Sequence, residues 1–320
     1  MSLLGHHEAW REWRGAMTSA RMHHAWILAG PRGLGKASFA RAAAAALVAE
    51  PGAPQPEAEA HPDIFVIEPL PANEDEEKKK ADGKPYQTKR NISIDQVRQI
   101  QRRLVTRPTL GARRAIVIDP ADDMEKGAVN ALLKSLEEPP AGTFFLLVAH
   151  RPGRLLPTIR SRCRTLRFAP LTPDEVDHVL RREAPEADAA TRAAAIAAAE
   201  GSPGAALSFV GQDLGPLHGL MLRIMREGDG HLALRGALAG EVGNRPDRER
   251  MLATLELARA TLVEELAAAP RQRQLKIIAA HEAVNRLAAQ APTFNFDPGL
   301  LVMEIGGLLA STAMPRESAS

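Results

Sequence analysis

The stretch that decides the fold is HAWILAGPRGLGKASFARAAAAALVAE, residues 24–50. It begins with an apolar run that predicts a buried strand, continues through a glycine-rich turn and ends in strong helix formers. Strand, glycine loop and helix form the context that a phosphate-binding loop of pattern G-x-x-x-x-G-K-[ST] requires. The residues that fit this loop are Gly30, Gly33, Gly35 and Lys36. Ala37 occupies the position of the hydroxyl residue that ligates Mg²⁺, so the metal site is predicted to be incomplete.

A second part of a nucleotide site lies in RRAIVIDPADDM, residues 113–124. An apolar strand there ends in Asp119, and the carboxylate of Asp119 could hold Mg²⁺ through a water molecule. Pro120 replaces the next carboxylate, which would polarise an attacking water, and proline cannot act as a base. Asp122 and Asp123 could replace this missing carboxylate, but they are less favoured because they lie beyond the predicted end of the strand. Backbone N–H groups and Lys36 could still hold phosphates, but hydrolysis is not expected.

Outward from the loop, residues 1–169 alternate predicted strands and helices, which indicates a parallel sheet with helices on both faces. Helical patterns alone follow from Thr172, the expected cap of the next helix. The domains predicted are 1–169 (α/β), 170–213 (small and helical) and 214–314 (all-α), with a tail at 315–320. Residues 69–91 mix acidic and basic runs with Pro and Gly and predict a mobile surface insertion, with a lysine-lined binding element as the alternative.

Composition excludes several classes of protein. The chain has 320 residues, of which 45% are hydrophobic and 25% charged, and no run reaches the ~20 apolar residues of a membrane span. The start lacks a basic leader and cleavage site, so a cytoplasmic protein is expected. A net charge of +2 does not by itself indicate nucleic-acid binding. The single cysteine, Cys163, cannot form an internal disulfide, and we expect it to be a packing residue rather than a nucleophile.

Three stretches together resemble the clamp-loader branch of AAA+ proteins, which comprises subunits of the bacterial replicative clamp loader. They are HAWILAGPRGLGK, NALLKSLEEPPAGTFFLLVAHRPGRLLPTIRSRC and EGSPGAAL. The similarity covers roughly residues 5–210 and extends further only in length and composition. It implies an AAA+ P-loop domain, a helical lid domain at 170–213 and a helical collar domain at 214–314 that joins a ring.

The resemblance also implies roles for single residues. Arg162 lies in a Ser-Arg-Cys motif whose arginine reaches into the ATP site of a neighbouring subunit as an arginine finger. The alternative is that Arg162 is one of several loop arginines. The first sensor position falls on Ala149 and is lost unless His150 turns inward, and we expect His150 to face solvent. The second sensor arginine falls on Gly204 and is also lost.

A non-hydrolysing, stator-like subunit is therefore predicted, without catalysis of its own, in a replication assembly whose polymerase activity belongs to other chains. Its partners would be the motor ATPase subunits, the clamp-opening subunit, the sliding clamp and primer-template DNA, with no membrane contact. No cofactor is expected to be required. The resemblance implies a four-cysteine zinc module in many family members at the place of residues 48–62; this segment contains no cysteine, so zinc is not expected. Whether the loop retains ATP stays open. A weak motor ATPase is the alternative, and a P-loop kinase or transferase is the alternative from another class.

A basic helix is the candidate for DNA contact. Arg98, Arg102 and Arg103 recur along VRQIQRRLVTRP, residues 97–108. In a clamp loader the corresponding helix lies near the DNA chamber, where arginines would contact phosphates without reading bases. A solvated basic face is the alternative.

Overall fold

The computed structural model describes residues 5–19, 21–50, 52, 56–58, 60–243, 246, 248–290 and 297–314. The chain divides into two compact units, Met1–Ala169 and Pro170–Ser320. The further division of the second unit at residue 213 stays a prediction, and the predicted tail, 315–320, lies outside the described residues.

The first unit is built on five parallel strands in the order β2-β3-β4-β1-β5. They are β1 (Ala25–Ala29), β2 (Ile64–Ile67), β3 (Arg114–Ile118), β4 (Thr143–Ala149) and β5 (Arg164–Arg167). Every residue of β1 and β3 is buried, as expected for parallel strands covered on both faces. The order places β1 and the loop that follows it between β4 and β5, beside the ends of both.

Helices cover both faces of this sheet. They are α1 (His7–Met17), α2 (Lys36–Val48), α3 (Glu74–Ala81), α4 (Ile94–Arg103), α5 (Lys126–Glu137) and α6 (Pro157–Arg160). Alternate residues of β1 point to opposite faces: Ile27 belongs to a core cluster with Leu132 of α5, while the Trp26 ring lies edge-on to Trp13 of α1 at 5.4 Å. The predicted parallel α/β sheet is confirmed.

Residues 69–91, predicted to be a mobile surface insertion, contain a regular helix, and their mobility stays a prediction. The segment contains α3, whose cap Asn73 accepts the backbone N–H of Glu76 at 3.0 Å. Glu76 is buried and accepts the backbone N–H of Gln87 at 2.6 Å, which ties the two arms of the segment together. Acidic residues fill the first turn and lysines the last, which matches the helix dipole. These local signals, rather than a hydrophobic face, stabilise the helix.

In the second unit every regular element within the described ranges is a helix. The helices are α7 (Pro173–Glu183), α8 (Ala189–Ala198), α9 (Pro203–Gly211), α10 (Gly215–Glu227), α11 (Ala233–Val242), α12 (Arg248–Ala268), α13 (Arg271–Gln290) and α14 (Pro298–Ala310). Thr172 caps α7 in a capping box with Glu175, as predicted. Glu265 on α12 binds Arg226 at 2.6 Å and Arg273 at 2.8 Å, which links three helices. Within the described residues, none of the helices is long and apolar enough to cross a membrane.

Candidate functional site

The glycine loop lies at the carboxyl end of the sheet, between β1 and α2. The N–H of Gly30 donates to the carbonyl of Ala149 at 3.3 Å. A Cβ atom at Gly30 would lie 2.5 Å from the carbonyl oxygen of Phe168, so only glycine fits between the ends of β4 and β5. Gly35 is the N-cap of α2 and has a φ of 77°, a left-handed conformation that favours glycine. The loop therefore has the backbone shape of a phosphate-binding turn.

Lys36 reaches into this loop from the first turn of α2. The residue is only 2% exposed, and its ammonium donates to the carbonyl of Pro31 within the loop. Burial lowers the pKa of Lys36 to about 8, against the opposing attraction of Asp119 and Asp122. The lysine thus keeps the position in which it could meet a phosphate, while its ammonium stabilises the loop itself.

Asp119 lies beside the loop, immediately after β3, and its N–H donates to the carbonyl of Ile67 at 2.9 Å. Burial raises the pKa of Asp119 to about 6, and the nearby Glu68 adds to the rise, against the attraction of Arg41 and Lys36. Lys36 and Asp119 attract each other, yet the pKa of each shifts toward its neutral form. Desolvation of each group therefore outweighs their mutual attraction.

The groups that would complete a hydrolytic site are missing from their expected places. Ala37 offers no oxygen, and Ser38 points to solvent. Pro120 is buried after Asp119. Asp122, one of the two less favoured replacements for the base, accepts the N–H groups of His150 and Arg151 on its two oxygens at 3.0 and 2.9 Å. Asp122 therefore holds the turn that follows β4.

His150 turns inward, so the prediction that it faces solvent is wrong. Its Nδ1 atom is buried without a hydrogen-bond partner. Burial, followed by the positive charge of Lys36, lowers the pKa of His150 to about 4, which keeps the imidazole neutral at physiological pH. The backbone N–H groups of His150 and Arg151 both donate to Asp122, and these bonds hold the turn in which His150 lies. Ala149 itself is buried in β4 and offers no polar group.

Arg162 lies at the opposite, amino end of the sheet. It precedes Arg164, the first residue of β5, which pairs with Trp26 near the start of β1. Strands rise about 3.3 Å per residue, so the five residues of β1 separate the two ends by roughly 15 Å. In a parallel sheet the loops before and after a strand lie at opposite ends. Arg162 therefore faces away from the glycine loop of its own chain.

The guanidinium of Arg162 is held by two helices. Its Nη2 atom lies 2.8 Å from Oε1 of Glu137, the last residue of α5. Its Nη1 atom donates to the carbonyl of Thr158 in α6 at 3.0 Å. The side chain remains 35% exposed. Glu137 could not be identified from the sequence, because no local spacing relates a residue at the end of α5 to one that follows α6.

Cys163 packs against the hydrophobic core of the first unit. Burial raises the pKa of its thiol to about 12, so the thiolate is not populated at physiological pH. The expectation that Cys163 is a packing residue is confirmed. Within the described ranges, no cluster of three or more His, Cys, Asp or Glu side chains could hold a metal ion.

The three predicted DNA-contact arginines differ in their surroundings. Arg98 and Arg102 on α4 are exposed, and neither has an ion pair among the residues that the structure describes. Arg103 lies over the ring of Phe65, with its guanidinium carbon 5.4 Å from the ring centroid. Arg98 and Arg102 are thus the two with freely available guanidinium groups. Gly204, at the second sensor position, is the second residue of α9 and supplies no side chain.

Comparison with known proteins identifies the family. The profile of the family described as DNA polymerase III, delta subunit, matches residues 5–172, just over half of the chain. A relative from Pseudomonas aeruginosa, DNA polymerase III subunit delta', is 42% identical over 155 residues, which are 45% of this chain and 42% of the relative. The subunit delta' of Escherichia coli is 39% identical over 125 residues, 39% of this chain and 37% of the relative. The matches thus span less than half the length of these relatives.

The fold also extends beyond the family match. A crystal structure of a DNA polymerase III, gamma subunit-related protein from Thermotoga maritima aligns over 94% of this chain and 98% of that one, with a TM-score of 0.51 and 20% identity. At that identity the likeness shows the fold alone. The chain belongs to the DNA polymerase III delta subunit family, and the resemblance drawn from its sequence is confirmed at this level.

Proposed function

We propose that this chain is a non-hydrolysing subunit of the replicative clamp loader, which helps to place the sliding clamp on primed DNA. In this proposal Arg162 acts as an arginine finger for the ATP site of a neighbouring subunit. The observation that carries it is the position of Arg162, which lies at the end of the sheet opposite its own glycine loop. An arginine placed there can reach only a nucleotide bound by another chain.

The proposed lack of hydrolysis rests on two independent losses. Without a hydroxyl at Ala37 the loop has no direct Mg²⁺ ligand, and with Pro120 after Asp119 no carboxylate polarises water. The loop would then serve as a scaffold, with no cofactor and no zinc required. The second candidate function is that of a weak motor subunit that retains nucleotide. It is favoured by the nearness of Lys36 and Asp119.

The proposed partners follow from the same reasoning. The helices of residues 214–314 would join the collar of a ring that contains the motor ATPase subunits and the clamp-opening subunit, in the cytoplasm. Arg98, Arg102 and Arg103 would contact phosphates of the primer-template DNA, while the clamp is engaged through the complex. Polymerase chemistry would belong to other chains of the assembly.

Co-purification tests the proposed assembly. A tagged copy of the full chain, expressed in its own cells, is expected to bring down the other clamp-loader subunits in fixed ratio. Recovery of the chain by itself, under salt conditions that keep multi-subunit complexes intact, would contradict the proposal and favour a free enzyme such as a small-molecule kinase.

Turnover by the purified chain separates the stator from the motor subunit. We expect no ATP hydrolysis above background, since metal ligand and base are both missing. Steady-state hydrolysis that disappears in Lys36→Ala would establish the motor alternative. Calorimetry with ATP and ADP on the same two proteins separately measures whether the loop retains nucleotide without turnover.

A further inference from the structure

The ion pair between Glu137 and Arg162 joins two parts of the chain that the proposed function does not connect. We infer that Glu137 is a positioning residue, which orients the guanidinium of Arg162 before a neighbouring subunit arrives. The inference rests on the proposed finger role of Arg162, and it assigns a task to a residue outside the Ser-Arg-Cys motif.

The contacts of Arg162 restrict the rotation of its guanidinium plane. One terminal nitrogen, Nη2, lies 2.8 Å from Oε1 of Glu137, and the other, Nη1, donates to the carbonyl of Thr158 at 3.0 Å. The Oγ atom of Ser161 lies 3.4 Å from Nη1. Two helices therefore fix the two nitrogens at once. The hydrogen of Nε and the second hydrogen of Nη2 are not used by these contacts, so donors remain for an incoming phosphate.

Glu137 stands on a rigid support. The preceding residue, Leu136, is buried, and its carbonyl accepts a hydrogen bond from Nε2 of His24 at 2.9 Å. His24 directly precedes β1, so the end of α5 is attached to the start of the central strand. The carboxyl terminus of a helix carries partial negative charge, which adds to the attraction of Glu137 for a cation. The position of Glu137 is thereby set by the sheet.

The ion pair is exposed enough that Glu137 can orient the guanidinium of Arg162 without binding it too tightly for a phosphate to compete. The side chains of Arg162 and Glu137 are 35% and 51% exposed, and ion pairs in such surroundings are weak. A developing charge on a γ-phosphate can therefore compete for the guanidinium. Arginine has many rotamers, and restricting them beforehand lowers the entropy lost when the finger meets the transition state. Loss of Glu137 should consequently slow the chemical step and leave nucleotide binding intact.

The test is a double-mutant cycle in the reconstituted complex with DNA. Glu137→Ala is expected to lower kcat for ATP hydrolysis about 3–10-fold with KM unchanged, and Glu137→Gln to have a smaller effect because it can still accept a hydrogen bond. Glu138→Gln is the matched control, since the neighbouring carboxyl is exposed and has no ion pair within the described chain, and it should leave kcat unchanged. In an Arg162→Ala background, Glu137→Ala should have no further effect.

The outcomes separate this inference from the proposed function. If Arg162→Ala leaves kcat unchanged in an intact complex, the finger itself is refuted. If Arg162→Ala lowers kcat but Glu137→Ala lowers it equally in both backgrounds, the finger stands and the positioning role fails. A faster reaction in Glu137→Ala would mean that the carboxylate restrains the finger, which also overturns the inference. Size-exclusion chromatography of each complex establishes that assembly is equal.

Discussion

The two ends of the parallel sheet in residues 1–169 show different relations between shape and chemistry. At the carboxyl end, the ammonium of the buried Lys36 donates within the glycine loop, and the pKa values of Lys36 and of the half-buried Asp119 both shift toward the neutral forms. At the amino end, one half-exposed guanidinium is oriented by neighbouring helices. The carboxyl end is therefore defined by the backbone of the loop and by burial, whereas the amino end presents one cation whose orientation depends on contacts from two helices.

The largest expected effect concerns the amino end. Arg162→Ala should lower DNA-stimulated ATP turnover at the adjoining site by about 10³-fold, because the guanidinium would stabilise charge on the transferred phosphoryl group. Arg160→Ala is the control, since Arg160 is exposed on the same short helix, α6. Arg162→Lys should recover little activity, because an ammonium lacks the planar fork of donors. An unchanged rate with Arg162→Ala in a complex of normal composition would remove the distinction between the two ends.

A second prediction concerns the shape of the carboxyl end. Gly30→Ala should lower the free energy of unfolding by ~1–3 kcal/mol, because the added methyl group would meet the carbonyl oxygen of Phe168. Gly15→Ala is the matched control: it lies inside α1 with open space around it, and should stabilise the chain by ~0.5–1 kcal/mol. Denaturant unfolding measures both. Equal stability of Gly30→Ala and the parent would show that the loop geometry is not required for the fold.

The half-buried carboxyl of Asp119 predicts a pH dependence of stability. Its pKa is about 6 in the fold, above its usual 3.8, so the folded chain binds the proton more tightly than the unfolded chain. The contribution of Asp119 to the free energy of unfolding therefore falls as pH rises from about 4 through 6, by ~1–3 kcal/mol. Asp119→Asn should remove this fall and be the more stable protein at pH 7.5, whereas Glu138→Gln should keep it. Parallel stability profiles for Asp119→Asn and the parent would contradict the prediction.

A smaller effect is expected on α4. Replacing Arg98 and Arg102 with glutamine should weaken primer-template binding by the complex several-fold, and reduce the slope of log affinity against log salt by about 2. Arg103→Gln should change the slope less, because its guanidinium already lies over Phe65. Fluorescence anisotropy across a salt series provides the slopes. If all three changes leave the slope unaltered, the arginines form a solvated surface.

The smallest expected effect comes from restoring a single missing group. Ala37→Thr should leave ATP turnover of the isolated chain at background, because Pro120 still leaves no base after Asp119. Calorimetry with Mg²⁺ and ATP measures whether the restored hydroxyl changes binding. ATP hydrolysis gained from this substitution alone would contradict the prediction. It would show that the missing hydroxyl was the only obstacle to activity, and that another group polarises the attacking water.

Local patterns in the sequence predicted much of the fold and the residues of the glycine loop. Apolar runs followed by glycine or aspartate identified β1 and β3, because buried parallel strands leave a distinctive composition. The hydrophobic pattern did not predict helix α3, because its segment has few apolar residues to bury. Asn73 followed by Glu76 three residues later is a capping pattern that indicates the start of this helix. The orientation of His150 could not be read locally, since it depends on Asp122 from a turn after another strand.

The sequence by itself determined that a glycine-rich loop precedes Lys36, that Ala37 and Pro120 lack the hydroxyl and carboxylate expected of a hydrolytic site, and that Arg162 lies between Ser161 and Cys163. These properties reside in residue identity and spacing, which a linear pattern contains in full. Only the tertiary structure decided that Arg162 lies at the opposite end of the sheet from the loop, paired with Glu137. That arrangement arises from the order of parallel strands and the packing of α5, which bring together residues that are distant along the chain.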